Sequence, residues 1–309
     1  MKDLRDRLAK EVGKVVVGQE ATVDLLLAAV MVGGHVLLEG VPGTAKTLLA
    51  NAMARSLGMT FRRVQFTPDM LPSDLTGTMT LRGGDLVFRK GPIFTNVLLA
   101  DEINRTPPKT QAALLEAMQE RQVSIDGEPN ALPAPFLVVA TQNPIEYEGT
   151  YPLPEAQLDR FLFKVDVGYP EEGDEISMLE LDHHGVSPAT LDQVQPITDV
   201  EELRRAQGEV DNTKATPEVL GYVARIVRAT RSVPSVELGA SPRSAVHLLA
   251  ASKAMARLGG RDYVTPDDVA VVGLPALTHR LLLRPEAELE RYRPADAVNA
   301  VFQSVPVPR

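Results

Sequence analysis

Residues 40–47 read Gly40-Val41-Pro42-Gly43-Thr44-Ala45-Lys46-Thr47, and farther along an apolar run, Val97-Leu98-Leu99-Ala100, ends in Asp101-Glu102. The first segment follows Val36-Leu37-Leu38 and precedes Leu48-Leu49-Ala50-Asn51-Ala52-Met53-Ala54, so it reads as strand, loop and helix. Glycines in such a loop let backbone N–H groups turn inward around phosphate oxygens, and the helix start adds partial positive charge. Lys46 is the expected cation for the β- and γ-phosphates, and the Thr47 hydroxyl the expected Mg²⁺ ligand. One position departs from the general P-loop pattern: Ala45 stands where a glycine usually precedes the lysine. An alanine carries a Cβ, so the sequence predicts a negative φ there.

The two carboxylates complete a nucleoside-triphosphate site. Both lie at the carboxyl end of a predicted buried parallel strand, where α/β sheets bind ligands. Adjacent strand residues point in different directions, so the two have different tasks. Asp101 is expected to hold Mg²⁺ through water. Glu102 is expected to orient and deprotonate the attacking water, which makes the chemistry hydrolysis. The competing reading is a charged pair that merely ends a strand at the surface.

Composition narrows the class. The chain has 309 residues, room for two domains, and contains no Cys and no Trp. Disulfides, thiolate metal sites and thiol nucleophiles are therefore excluded, and the pattern fits a reducing, cytoplasmic setting. The first residues, Met1-Lys2-Asp3-Leu4-Arg5-Asp6-Arg7, are charged and lack a signal-peptide apolar region. The longest apolar stretch, 25–32, ends at Gly33-Gly34-His35 and is too short to span a bilayer. A net charge of −9 argues against broad attraction to nucleic acid.

Along the chain, strand candidates are 36–38, 61–66, 97–101, 136–141 and 161–167, alternating with helix candidates 2–12, 20–31, 47–57 and 110–119. This alternation predicts an α/β core, a mostly parallel sheet covered on both faces. After Pro170 strand signals nearly vanish. Thr216-Pro217-Glu218, Ser241-Pro242-Arg243 and Thr265-Pro266-Asp267 repeat one helix start, a hydroxyl at the N-cap and Pro at the first helical position. The runs 219–230, 245–258 and 269–283 predict a small all-α bundle, with a further helix near 199–207. The segment 171–195 is acidic and reads as an irregular linker, which divides the chain into a core, 1–190, and a helical lid, 191–309. On the edge strand, Arg62-Arg63 is expected to leave one side chain buried and one solvated. His183-His184 in the linker suggests a metal only if other ligands join it, and a solvated loop is the simpler reading.

A strand–helix core of this kind followed by a helical lid resembles the AAA+ superfamily, and the motifs narrow it. The loop with Ala45 before Lys46 is similar to that of the MoxR branch. So are Gly91-Pro92-Ile93-Phe94, the run Ala100-Asp101-Glu102-Ile103-Asn104-Arg105 with Pro107-Pro108-Lys109-Thr110 behind it, and Ala140-Thr141-Gln142-Asn143-Pro144. Glu155-Ala156-Gln157-Leu158-Asp159-Arg160-Phe161 completes the set, and the similarity runs from Val17-Gly18-Gln19 to at least Arg243. The resemblance implies an ATPase that uses Mg²⁺ and forms a ring, usually a hexamer. It implies a chaperone-like remodeller, often working with a partner that bears a von Willebrand factor A domain, some members assisting enzyme maturation or metal-cofactor insertion.

It also implies residue roles. Val17, Gly18 and Gln19 match the segment that lines the adenine pocket. Asn143 falls in the slot of sensor 1, where a neutral amide hydrogen-bonds the attacking water; the alternative is a turn Asn before Pro144. Arg243, a cation in a helix first turn that opposes the macrodipole, needs an anion or open solvent, and its lid position is that of sensor 2, touching the γ-phosphate. Arg160 is the expected arginine finger acting in trans, with Arg105 and Arg121 as rivals and a salt bridge to Asp159 or Glu155 as the structural alternative. The stretch 67–92 resembles an insertion in a helix, and 123–135, with Asp126-Gly127, a hairpin. Both are candidates for contact with a client in a central pore, or ordinary surface loops. Two other functions compete: the motor subunit of a metal chelatase, whose loop more usually carries Gly before Lys, and a nucleic-acid motor or transcription regulator, which the acidic balance disfavours.

Overall fold

The computed structural model describes residues 1–143, 149–180 and 188–308. Its first part runs α1 (Lys2–Val12), α2 (Glu20–Val32), β1 (Val36–Glu39), α3 (Lys46–Ser56), β2 (Phe61–Gln65) and α4 (Pro72–Thr76). Next come β3 (Gly77–Arg82), β4 (Asp85–Lys90), β5 (Val97–Asp101), α5 (Pro108–Glu120), β6 (Gln122–Ile125), β7 (Glu128–Ala131), β8 (Leu137–Gln142), α6 (Glu155–Leu158), β9 (Phe163–Asp166) and α7 (Glu172–Glu180). The rest comprises α8 (Val200–Asp211), α9 (Pro217–Thr230), β10 (Val236–Leu238), α10 (Pro242–Leu258), α11 (Pro266–Leu277), β11 (Leu282–Leu283), α12 (Pro285–Leu289) and α13 (Pro294–Ser304).

Five strands form one parallel sheet in the order β2-β5-β8-β1-β9. Side chains alternate across it with a period of two. Val97 and Leu99 of β5 join one hydrophobic cluster, with α1, α2, α3 and the lid helices. Leu98 and Ala100 join the cluster on the opposite face, with Leu114, Leu115 and Met118 of α5. Coverage of both faces is why these strands read as unbroken apolar runs. All strands point their carboxyl ends the same way, so the 40–47 loop, Asp101 and Thr141 converge at one edge of the sheet.

The sheet, the hairpin β6–β7 and the lid helices α8 to α11 occupy the predicted positions, whereas α12 and α13 are not among the expected elements. Several expectations need correction. Between 67 and 92 the only helix is the five-residue α4, and the antiparallel pair β3–β4 follows it directly, so no host helix resumes before β5. Gly91 closes the base of this hairpin: an added Cβ would meet the Leu75 carbonyl oxygen at 2.2 Å. The acidic segment after Pro170 starts as α7, whose Glu172, Asp174 and Glu175 suit the positive end of a helix dipole. The last periodic run ends at Leu277, after Pro275; a single 3₁₀ turn follows and β11 pairs with β10. Of the three repeated helix starts, the Thr216 hydroxyl accepts from the Val219 N–H, Thr265 donates its hydroxyl and backbone N–H to Asp268 Oδ2, and the Ser241 hydroxyl meets Asp159 at 3.2 Å. Arg62 and Arg63 are both exposed, because β2 is an edge strand without a covering layer beside it. His183 and His184 lie outside the described residues.

Candidate functional site

The loop between β1 and α3 bounds a cavity of about 510 Å³. Gly40, Pro42, Gly43, Thr44, Ala45, Lys46, Thr47 and Leu48 line it, facing Asp101, Glu102, Thr141 and Asn143. Two glycines are required by the geometry. Gly43 has φ +89°, and a Cβ on Gly40 would meet the Val167 carbonyl oxygen at 2.3 Å. Ala45 contradicts the sequence expectation: its φ is +57°, at the N-cap of α3. The loop must reverse inward immediately before the helix, and closure overrides the preference of one residue, at a cost of about 1–2 kcal/mol for an L-residue with a Cβ. Lys46 Nζ donates to the carbonyls of Gly40 at 3.0 Å and Val41 at 2.7 Å, and to Thr44 Oγ at 3.1 Å. Burial pushes the Lys46 ammonium pKa down, against the opposing pull of Asp101 and Glu102.

The carboxylates are held by different neighbours, as their adjacency requires. The Thr141 hydroxyl donates to Asp101 Oδ1 at 2.6 Å and accepts from the Glu102 backbone N–H at 2.9 Å. Arg63 donates from Nε and Nη2 to Asp101 Oδ2, at 2.9 and 2.7 Å. Glu102 sits at φ +56°, just past β5, and its Oε2 accepts from Gln65 Nε2 at 2.6 Å and from Arg105 Nη1 at 3.0 Å. Arg63 Nη2 also donates to Gln65 Oε1 at 3.0 Å, so the two carboxylates share one chain of side chains from β2.

The far end of the cavity is apolar. Val17 and Gln19 line it, Gly18 does not, and Val15, Val16, Pro170 and Met178 do. A hydrophobic slot beside a phosphate loop suits a flat heterocycle. For a divalent cation, the Thr47 hydroxyl and Asp101 carboxylate are the hard oxygen donors that Mg²⁺ takes. A guanidinium already stands on Asp101 as a counter-cation. The donor set fits the ion.

Arg160 and Arg243 are elsewhere. With Arg121, His35 and His247 they line a second cavity, about 260 Å³. His35 precedes β1 and Leu162 precedes β9, so this cavity lies at the amino ends of the strands, opposite the loop. The four residues of β1 separate the two ends by about 13 Å. The expectation that Arg243 touches a γ-phosphate therefore fails for the chain's own loop. The cause is the lid, whose α10 packs against α2 and places its N-terminus beside α6. Arg243 does find the anion its dipole position demands, Asp159 Oδ2 at 3.8 Å, and remains half-exposed.

Asp159 also faces Arg280 Nε at 3.2 Å. Burial lowers the Arg280 pKa to about 10, with Asp159 opposing the shift. Arg280 Nη2 donates to the Phe161 carbonyl at 2.7 Å and to His247 Nδ1 at 2.6 Å. The salt bridge considered for Arg160 is absent: among the described residues its side chain has no hydrogen-bond or ion-pair partner. Arg121 is half-buried and donates to the carbonyls of Phe136 and Gly33, which ties it down in its own chain. Arg105 is committed to Glu102 of its own chain.

Sequence reasoning missed Arg63, Gln65 and the bridging role of Thr141. The usable signal was period two on the edge strand, which sets Arg63 and Gln65 on one side, with Gln65 in register with Asp101.

Known proteins share this sequence pattern and fold. Residues 35–163 match the family model for the ATPase family associated with various cellular activities, and 228–301 match an AAA lid domain. Chaperone MoxR1 of Mycobacterium tuberculosis is 46% identical over 98% of this chain and 82% of its own length. The Bacillus subtilis protein YeaC is 47% identical over 99% of this chain and 95% of its own. A crystal structure of a proposed ATPase from Cytophaga hutchinsonii superposes with a TM-score of 0.92 at 41% identity, covering 100% of this chain and 96% of that one. With its P-loop, acidic strand end and helical lid, this chain belongs to the MoxR family of AAA+ ATPases.

Proposed function

We propose that the chain binds ATP with Mg²⁺ in the loop cavity and hydrolyses it within a ring, probing each γ-phosphate with arginines from the adjacent subunit. The observation that carries this reading is the placement of Arg160 and Arg243 together, at the end of the sheet away from their own loop. Within one chain, Lys46 neutralises the β- and γ-phosphates. Glu102 accepts the proton of the attacking water as its oxygen bonds to the γ-phosphorus and ADP leaves. Asn143, buried beside the carboxylates, orients that water. Thr47 and Asp101 would hold Mg²⁺, which when bound neutralises charge on the β- and γ-oxygens. Arg160 from a neighbour supplies the remaining positive charge as a rigid guanidinium. Its lack of a competing partner among the described residues supports that role.

The ring is the natural unit for this arrangement, and six subunits the number the family resemblance suggests. The work done is chaperone-like remodelling of a protein client, with a von Willebrand factor A domain protein as partner, in the cytoplasm. No described helix is long and apolar enough to cross a membrane. The β3–β4 hairpin exposes Leu81, Leu86 and Val87 around Gly83-Gly84 and is the surface we assign to the client. The division between the nucleotide-binding part and the lid falls near residue 190.

Subunit mixing tests the reading. Arg160→Ala should retain ATP binding and lose about 10³–10⁵ in hydrolysis. Glu102→Gln should retain binding and lose about 10² or more. In mixed rings some interfaces pair an intact Glu102 with an intact Arg160, and activity should partly return. Full activity of Arg160→Ala alone, or rings that recover nothing on mixing, would overturn the in-trans role.

A further inference from the structure

Arg63 is 51% exposed on an edge strand, yet it spends two donors on one oxygen of Asp101, itself 13% exposed. Asp101 Oδ1 is taken by Thr141, so both oxygens of this carboxylate are engaged. A solvated arginine gains little from a surface partner, whereas a charge-assisted contact with a shielded carboxylate is stronger, although here both donors converge on the one oxygen Oδ2 rather than forking across both. Arg62, the preceding residue, also exposed, makes no such contact among the described residues. The cavity thus carries two cations, Lys46 and Arg63, against two carboxylates, Asp101 and Glu102. Arg105 adds a further cation at Glu102, 3.0 Å away, so each carboxylate carries a guanidinium counter-charge before any ligand enters.

We propose that Arg63 is a displaceable counter-cation, occupying the side of Asp101 that faces an incoming divalent cation and competing with it for that carboxylate. The proposal rests on the ATP reading of the cavity. It has two consequences of opposite sign. Metal-free ATP benefits from Arg63, because the guanidinium shields the tetra-anion from Asp101. Mg-ATP must displace Arg63 from Oδ2, so it binds more weakly than it would without the arginine. Arg63 therefore positions Asp101 and sets how strongly the site distinguishes the metal complex from the free nucleotide. Through its 3.0 Å bond to Gln65 Oε1 it also keeps the Gln65 amide turned toward Glu102, so its release frees that amide.

The test is equilibrium binding of a fluorescent ATP analogue to the full chain, with excess Mg²⁺ and with EDTA. Arg63→Ala should bind the Mg²⁺ complex about fivefold more tightly and the metal-free nucleotide less tightly, widening the ratio of the two affinities about tenfold. Arg63→Lys, with one point charge and no fork, should fall between. Arg62→Ala removes the same charge one residue away and should leave the ratio unchanged. A ratio unchanged within twofold in Arg63→Ala overturns the proposal, as does an equal shift in Arg62→Ala. Both affinities of Arg63→Ala falling together would also sink it. If the parent binds no nucleotide under either condition, the ATP reading fails and this proposal with it. Nucleotide binding by the parent with an unmoved ratio removes only the role of Arg63.

Discussion

The two cavities sit at opposite ends of the same parallel strands and are built from different materials. At the carboxyl ends, the phosphate loop is mostly backbone, with glycines at 40 and 43 and one lysine folded onto its carbonyls. At the amino ends, the arginine cavity is lined mainly by side chains, from the loop before β1, the end of α5, the segment between α6 and β9, and α10 of the lid. The phosphate loop of the first site is local, contained within a short sequence window. The second exists only because the lid docks. Backbone sites tolerate neighbours, whereas the buried Arg280, bonded to the cavity-lining His247, depends on its counter-charge. Perturbing the arginine end should therefore cost more stability than perturbing the loop end.

The largest expected effect is at Asp159. Its removal leaves the buried Arg280, 1% exposed, without a carboxylate. Asp159→Ala should destabilise the chain by about 3–5 kcal/mol in chemical unfolding, as breaking buried ion pairs does. Glu155→Ala, an exposed carboxylate on the same short helix, should change stability by less than about 0.5 kcal/mol. Equal costs would erase the distinction between the two ends.

A smaller effect concerns protons. Burial, reinforced by Arg121, lowers the His35 pKa to about 3, and burial with Arg280 lowers His247 to about 4. Both are neutral when folded, yet an unfolded histidine gains its proton near pH 6.5. The unfolded chain then binds more protons, so stability is unaffected above that pH and falls as pH drops from about 6.5 toward the folded values. Between pH 7.5 and 6 each histidine should cost about 0.8 kcal/mol. His279, also held well below its usual value by burial, adds to the slope. Unfolding of the parent and of His35→Gln at the two pH values should show a shallower dependence in the variant. An unchanged slope would mean that His35 takes no part in it.

The smallest effect belongs to the loop. Ala45→Gly relieves the positive φ but adds unfolded-chain freedom, leaving a net gain of about 0.5–1 kcal/mol. The melting temperature should rise slightly, with ATP affinity kept within about twofold. A loss of stability would show that the Ala45 Cβ makes a packing contact worth more than the strain.

Unbroken apolar runs with β–α alternation determined the sheet, because a strand covered on both faces has no polar side to show. The glycines, Lys46 and Thr47 determined the phosphate loop for the same kind of reason: its chemistry is backbone geometry, encoded within eight residues. Repeated hydroxyl-Pro starts determined the lid helices. What these signals cannot encode is where separate elements meet. The φ of Ala45 was decided by loop closure, and the partners of Asp101 by an edge strand 36 residues upstream of β5 when counted from Phe61 to Val97. Arg243 was decided by lid docking, which set it beside Asp159, 84 positions away in sequence, rather than at the loop. Short-range pattern selects each element through local sterics and burial. The position of a charged side chain depends on which distant counter-charge the packed chain brings within reach.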